Sequence, residues 1–265
     1  MLRALYTSAT GMKAQEMMID NTANNLANVN TTGFKRSRVD FADLVYTTYR
    51  APGTAVTTGQ VSPTGLQIGN GVRVVSTNKN FATGTAEQTG NPMDLAIEGD
   101  GFFQVQIPNG ESRYSRDGSF RMNDAGLVVN SDGYPLVPNI TIPPGIDITK
   151  ITIGADGTIQ GAQTGSDVAP TALGSIQIAT FLNPAGLSSE GSNLYASTVA
   201  SGQPIPNTPG QTGYGILRSG SLEGSNVEVV NELISLISAQ RAYEVNSRAI
   251  RAGDEMLSTS IDIVR

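Results

Sequence analysis

The residue types that carry most acid–base and nucleophilic chemistry are missing from this chain of 265 residues, which contains no His and no Cys. Their absence removes the Ser–His–Asp arrangement, thiol catalysis, disulfides and the common zinc and iron–sulfur ligand sets. Ser, Lys, Tyr and carboxylate chemistry remain. Gly99-Asp100-Gly101 has the outline of a phosphate loop. It lacks the third glycine and leads into strand-like sequence, so it reads as a tight turn. Asp94, Glu98 and Asp100 crowd together as calcium ligands do, yet the twelve-residue calcium-loop spacing is absent and they read as solvated turn acids. No spacing nominates a carboxylate pair for sugar hydrolysis, and there is no Trp to stack a sugar ring. Lys35, Arg36 and Arg38 form a basic cluster whose charge is halved by Asp40 and Asp43. At a net charge of −6, a nucleic-acid backbone is a poor partner. The expectation is a chain with no catalytic residue, no cofactor and no metal, and hence not an enzyme.

The elements that would position any site divide the chain in three. All 13 prolines fall between Pro52 and Pro209, and of 30 glycines only Gly11 lies in residues 1–30 and only Gly253 in residues 226–265. Pro breaks helix interiors and Gly weakens them, so long helices are permitted at both ends and not between. Charge follows the same division, with 6 basic and 4 acidic groups in residues 1–50, 7 and 13 in residues 51–225, and 4 and 6 in residues 226–265.

In the first segment Leu5, Met12, Ile19 and Leu26 recur every seven residues, with Ser8, Gln15, Thr22 and Val29 at the alternate positions. In the last, Leu236, Tyr243, Ile250, Leu257 and Val264 do the same, with Leu233, Gln240, Ser247, Asp254 and Ile261 between them. Seven-residue spacing places side chains on one slowly drifting stripe, the arrangement that packs helix on helix. Half of each seam is polar, which weakens an autonomous coiled coil. An ordinary amphipathic helix docked on its own domain is the plainer reading of the same pattern. The first helix is expected from Leu2 to about Asn28, ending before Gly33. Its second half is crowded with Asn21, Asn24, Asn25 and Asn28, and a buried Asn needs hydrogen-bond partners. The last helix is expected from Val227 to Ile263, roughly 55 Å long, capped by Ser225 or Asn226.

The middle reads as β. Residues 101–107 (GFFQVQI) alternate at Phe103, Val105 and Ile107, and Asn109-Gly110 marks a hairpin. Further strand candidates are residues 72–77, 119–122, 127–129, 148–153, 176–181 and 214–218, punctuated by Asp-Gly turns. Residues 161–172 and 197–213 read as loops, and residues 50–71 as an extended arm or hairpin. Short strands at this spacing suggest an antiparallel sandwich or barrel. The expected fold class is therefore α+β. Residues 1–35 plus 226–265 would form a coiled-coil-like helical domain, residues 36–71 a connecting arm, and residues 72–225 a mainly antiparallel β domain. No apolar run is long enough to insert in a membrane, and residues 1–15 lack the apolar stretch of a cleaved secretory signal.

Residues 8–15 (SATGMKAQ) and 20–35 (DNTANNLANVNTTGFK) resemble the N-terminal signature of the bacterial flagellar rod and hook axial proteins. Residues 230–249 (VNELISLISAQRAYEVNSRA) resemble their C-terminal signature, and residues 91–105 (NPMDLAIEGDGFFQV) and 114–120 (YSRDGSF) their central β motifs. The length and residues 46–71 are most similar to the distal-rod branch of the family, with a proximal rod or other axial paralogue as the alternative. The resemblance implies a motility protein that polymerises with itself into a hollow, straight and rigid drive shaft. Paired terminal helices would line the tube, and the arm would bridge neighbours. It implies export by the flagellar type III apparatus without a cleaved signal, and residence in the periplasm-spanning basal body. Phe41 and Val45 resemble the short hydrophobic motif presented to the export gate. Proximal rod and hook-side axial proteins and the basal-body ring (bushing) proteins are the implied partners. A monomeric β-rich binding or adhesin module is the reading from another class, and a His-free cell-wall hydrolase is a distant third.

Overall fold

The computed structural model describes residues 2–264 apart from 54, 58, 59, 62, 148, 149 and 163–170. Residues 148 and 149 of one strand candidate, residues 163–170 of a candidate loop, residues 54, 58, 59 and 62 of the arm and the side chain of Val264 thus lie outside the described residues. The chain forms two compact units. The fold class is α+β, with a long helix near each end and sheet between.

One unit comprises Met1–Leu26, Ser37–Asn78 and Glu228–Arg265. Helix α1 spans Leu2–Ala27 and α2 spans Val229–Val264, the latter about 54 Å at 1.5 Å per residue. The last helix begins two residues later than its sequence suggests, because Asn226 is not free to cap it. Its amide donates to the Asn80 and Ala82 carbonyls, and its Oδ1 accepts from the Arg36 N–H at 2.8 Å. Strands Ser37–Asp43 and Val72–Lys79 pair with each other. Within the arm, Thr47–Arg50 pairs antiparallel with Leu66–Ile68, so a hairpin is present. Arg3 of α1 donates to the Tyr49 hydroxyl at 2.9 Å and to Thr47 Oγ1 at 3.2 Å, with its guanidinium stacked 5.5 Å from the Tyr49 ring centroid.

The other unit comprises Ala27–Arg36 and Lys79–Val227. Its largest sheet has six antiparallel strands in the order Ser188–Gly191, Leu194–Ala196, Ser112–Ser115, Phe102–Gln106, Ile178–Thr180 and Ile205–Asn207. The hairpin at Asn109-Gly110 joins two of them in the register Ser112 opposite Gln106. A three-stranded sheet and several two-stranded ladders complete the described β structure. Residues 197–213 are not wholly loop. Ile205–Asn207 supplies an edge strand, a place where Pro206 is tolerated because its missing N–H faces away from the ladder.

The period-two pattern of residues 101–107 describes a strand with one dry face, but this strand is buried on both. Phe103 and Val105 pack with Leu95, Ile97, Phe120 and Leu136 on one side. Phe102 packs with Tyr114, Phe181 and Tyr195 on the other. Edge-to-face ring pairs order both layers, Phe103 with Phe120 at 5.0 Å and Tyr114 with Phe181 at 4.7 Å; such contacts add about 0.5–1.5 kcal/mol beyond burial.

Burial of Tyr195 pushes its phenol up to about 12, against the opposing pull of Arg116. Between the ordinary tyrosine value near 10 and about 12, the native state therefore holds a proton that the unfolded chain releases, and stability falls as pH rises through that window. Lys35 and Lys79 are both lowered by burial. Their effect has the opposite sign, raising stability with pH until the unfolded lysine value of 10.5 is passed. Urea titrations across the alkaline range should show a steep loss above that value, and Tyr195→Phe should flatten it. An unchanged slope in Tyr195→Phe would contradict this account.

Candidate assembly interface of the terminal helices

Helices α1 and α2 touch at three depths. Asn25 donates to Glu232 at 3.3 Å. A Cβ added to Gly11 would lie 3.0 Å from the amide nitrogen of Asn246, and one added to Gly253 would lie 2.6 Å from the end of Leu5. Numbers rise along one helix as they fall along the other, so the pair is antiparallel. On α2 the contact line is Glu232, Ala239, Asn246 and Gly253, spaced every seven residues; Glu232, Ala239 and Gly253 are buried. On α1 the buried positions are Ala14, Thr22 and Asn25. The close-approach surfaces are thus small or polar. Asn25 finds the partners that a buried amide requires. It accepts from the Ser37 N–H at 2.9 Å and donates to the Ser37 carbonyl at 2.8 Å, and Asn21 donates to that same carbonyl.

The apolar seam residues sit around this line. Leu5, Met12, Ile19, Leu26 and Val29 are half-buried, Val29 lying just beyond α1. On α2, Leu236, Ile250 and Leu257 are half-buried, whereas Leu233 and Tyr243 are each 41% exposed and Ile261 63%. The inner line of α2 was not legible from hydrophobic spacing because its members are Glu, Ala, Asn and Gly. A seven-residue recurrence of small residues was the available signal. About half a turn away lie Val230, Ile234, Ile237 and Val245, all exposed. At 100° per residue Val230, Ile234 and Ile237 form one stripe on the side of α2 opposite the Glu232–Gly253 line, with Val245 at its flank. Phe41, on the strand Ser37–Asp43, and Val45, just after it, are also exposed; the Val45 carbonyl accepts from Asn70.

The segments that lead out of α1 and into α2 meet within the β-rich unit through buried charge. Lys35, Arg116 and Glu223 are 0%, 1% and 2% exposed. Lys35 Nζ donates to Glu223 Oε1 at 2.6 Å and to the Ala82 carbonyl at 2.8 Å. Arg116 Nη1 reaches Glu223 Oε2 at 3.4 Å, and its Nη2 donates to the Gly99 carbonyl at 2.9 Å. The Gly84 N–H completes the carboxylate's partners at 2.9 Å. Burial drags Lys35 below its usual lysine value, while the Glu223 carboxylate resists that shift. Gly33 brings the chain into this site at φ +68°, its N–H donating to the Glu223 carbonyl at 2.7 Å. Any side chain there would strike the backbone of Arg116 and Asp117. The arrangement is a clasp of one carboxylate by two cations and a backbone N–H.

Comparison with known proteins follows the same segments. Residues 5–35 match the family model described as flagella basal body rod protein. Residues 96–161 match the flagellar hook protein FlgE/F/G D1 domain, and residues 218–263 the flagellar basal body rod FlgEFG protein C-terminal region. The chain is 44% identical to the flagellar basal-body rod protein FlgG of Borreliella burgdorferi over the whole of both chains. It is 46% identical to the protein of that name from Buchnera aphidicola subsp. Schizaphis graminum, over 97% of this chain and 98% of the relative. It is 32% identical to the flagellar hook-basal body complex protein FlhP of Bacillus subtilis, over 97% of each.

Removing the charge on Glu223 while keeping its shape strands two buried cations. Glu223→Gln should therefore cost about 3–5 kcal/mol, read as a lowered urea midpoint of the full chain. Lys35→Met should cost less, because Glu223 keeps Arg116 and the Gly84 N–H. Equal, small losses for both would contradict the clasp.

Proposed function

The chain belongs to the flagellar basal-body rod protein family, and on that premise we propose that it polymerises with itself, through α1 and α2, into the straight, stiff and hollow shaft of the distal rod. It is a structural subunit of the rod. The observation that carries the polymer reading is the inverted distribution of apolar side chains on α2. Its surface toward α1 is Glu232, Ala239, Asn246 and Gly253, while Val230, Ile234, Ile237 and Val245 are presented outward. Fully burying one such side chain contributes about 1.5–3 kcal/mol, so a single copy leaves a large driving force unused. A contact between this stripe and a different surface of the next copy is heterologous. It propagates as an open helical assembly instead of closing as a dimer.

In this reading residues 1–35 and 226–265 form the coiled-coil-like polymerisation domain, residues 72–225 the β domain on the outside of the tube, and residues 36–71 the arm between neighbours. Leu5, Met12, Ile19, Leu26 and Val29 and the α2 residues Leu233, Leu236, Tyr243, Ile250, Leu257 and Ile261 contribute to bundle packing. The exposed hairpin residues Tyr46, Tyr49, Leu66 and Ile68 give the arm an apolar surface for a neighbouring copy. Its tie to α1 through Arg3 supports a stiffening role. Export proceeds through the type III apparatus to the periplasm-spanning rod, with Phe41 and Val45 offered to the gate. The shaft joins proximal rod subunits below and hook-side subunits above, inside the ring proteins, and transmits torque from motor to hook.

Two outward residues test the reading. Ile234→Glu/Ile237→Glu should leave the far-ultraviolet helix signal of the monomer unchanged and raise the concentration at which tubes form by at least a hundredfold. Tubes at the wild-type concentration would sink the polymer mechanism in favour of a monomeric binding module. Deleting residues 46–71 should preserve assembly but give curved or flexible rods in electron micrographs; straight rods would remove the arm from the mechanism.

A further inference from the structure

A groove of about 410 Å³ runs along α1 beside the strand Val72–Lys79. Tyr6, Met17, Leu44 and Val74 give it apolar walls, and the two charged side chains that line it, Lys13 and Arg73, are both basic. Tyr6 and Met17 are exposed despite their size, and Lys13 and Arg73 are exposed as well. Among the described residues neither cation has a carboxylate partner within salt-bridge distance.

The end of α2 has the complementary chemistry. Between Arg251 and Arg265 it carries Asp254, Glu255 and Asp262. Asp254 and Glu255 are exposed, and among the described residues no cation pairs with either. Asp254, Ser258 and Ile261 are spaced i, i+4, i+7 and so share a face, with Glu255 at its border. Ile261 is exposed on that face. The face therefore offers two acids and, two turns on, a branched aliphatic side chain, which is what a groove with two cations and apolar walls accepts.

Resting on the polymer reading, we propose that the groove between α1 and Val72–Lys79 is the seat for the C-terminal end of α2 from a second copy of this chain. Asp254 and Glu255 of the incoming helix meet Lys13 and Arg73, and Ile261, about 10 Å further along, lies against Tyr6, which is as far from Lys13 along α1. Seat and occupant are different surfaces of one molecule, so the contact is head-to-tail and adds copies without limit. It also accounts for Lys13 of α1 and Arg73 of the strand, which have no carboxylate within salt-bridge distance among the described residues.

A charge exchange tests it in the full-length protein. Lys13→Glu/Arg73→Glu and, separately, Asp254→Lys/Glu255→Lys should each raise the concentration needed for tube formation at least tenfold. Combining all four substitutions should restore it to within about threefold of the wild type. Far-ultraviolet circular dichroism of the monomer confirms that each variant folds. If a reversal loses helix, Lys13→Gln/Arg73→Gln replaces it, with a smaller expected rise of about threefold or more. Tube formation by either pair at the wild-type concentration, or a combined variant no better than its parents, overturns the seat. Failure of the unmodified protein to form tubes under any condition would instead overturn the polymer reading beneath it.

Discussion

The buried carboxylate of Glu223 is the constraint on which the rest depends. An ionised group taken out of water is tolerable only if its charge and lone pairs are met. Glu223 meets this need by drawing Lys35 from the segment after α1, Arg116 from the β core and the Gly84 N–H to one point. Buried ion clusters add little net stability compared with apolar packing, but they penalise any arrangement in which one member is missing. The cost of leaving any partner out therefore specifies which strand neighbours which segment. Lesser polar contacts extend the clasp. Thr32 bonds Asp117, Asn193 bonds the Thr32 carbonyl, and Asn226 bonds the Arg36 N–H. The chain between the two helices is thereby closed at its base, at residues far apart in sequence.

The two units spend their hydrophobic residues differently. In the β-rich unit most of the large ones are enclosed, with Phe102 and Phe103 serving opposite faces of one sheet, although Leu182 and Val199 are exposed. In the helical unit the line between α1 and α2 is small and polar, while aliphatic side chains look outward. Gly11 and Gly253 let the helices approach closely, at the expense of helix propensity. A β unit of this kind is complete as a single copy. A helical unit of this kind has apolar surface left over, and an open polymer is a way to bury it on every copy but the last. The subunit of a flagellar rod is suited to this division, since one part must hold its shape while the other finishes its packing against neighbours.

Sequence reading reached the element types because they rest on local rules. The confinement of Pro and Gly to the middle separates helical ends from a β centre. Asn109-Gly110 marks a hairpin wherever it occurs between strands, and the residue order in 8–35 and 230–249 carried the family resemblance. The misses share a cause. Ile205–Asn207 and Ser188–Gly191 are edge strands in which, Ile205 apart, Pro, Asn, Ser, Glu and Gly carry little strand signal of their own; they are ordered by the neighbour they lie beside. Asn226 looked like a helix cap because nothing local announced that Arg36, 190 residues away, would claim its side chain.

The sequence alone determined that this chain has neither His nor Cys, has helices at its ends and sheet between, and resembles the axial proteins of the flagellum. Each of these depends on composition, on spacing within a few turns, or on the order of residues along the chain. Only the tertiary structure decided that Lys35 and Arg116 converge on Glu223, that the inner line of α2 is Glu232, Ala239, Asn246 and Gly253, and that Val230, Ile234, Ile237 and Val245 face away from α1. Periodicity defines a stripe but not what lies opposite it, and a charge in a sequence does not reveal whether water or another charge will surround it. Those facts belong to pairs of residues brought together across long stretches of chain, and they exist only once the chain has folded.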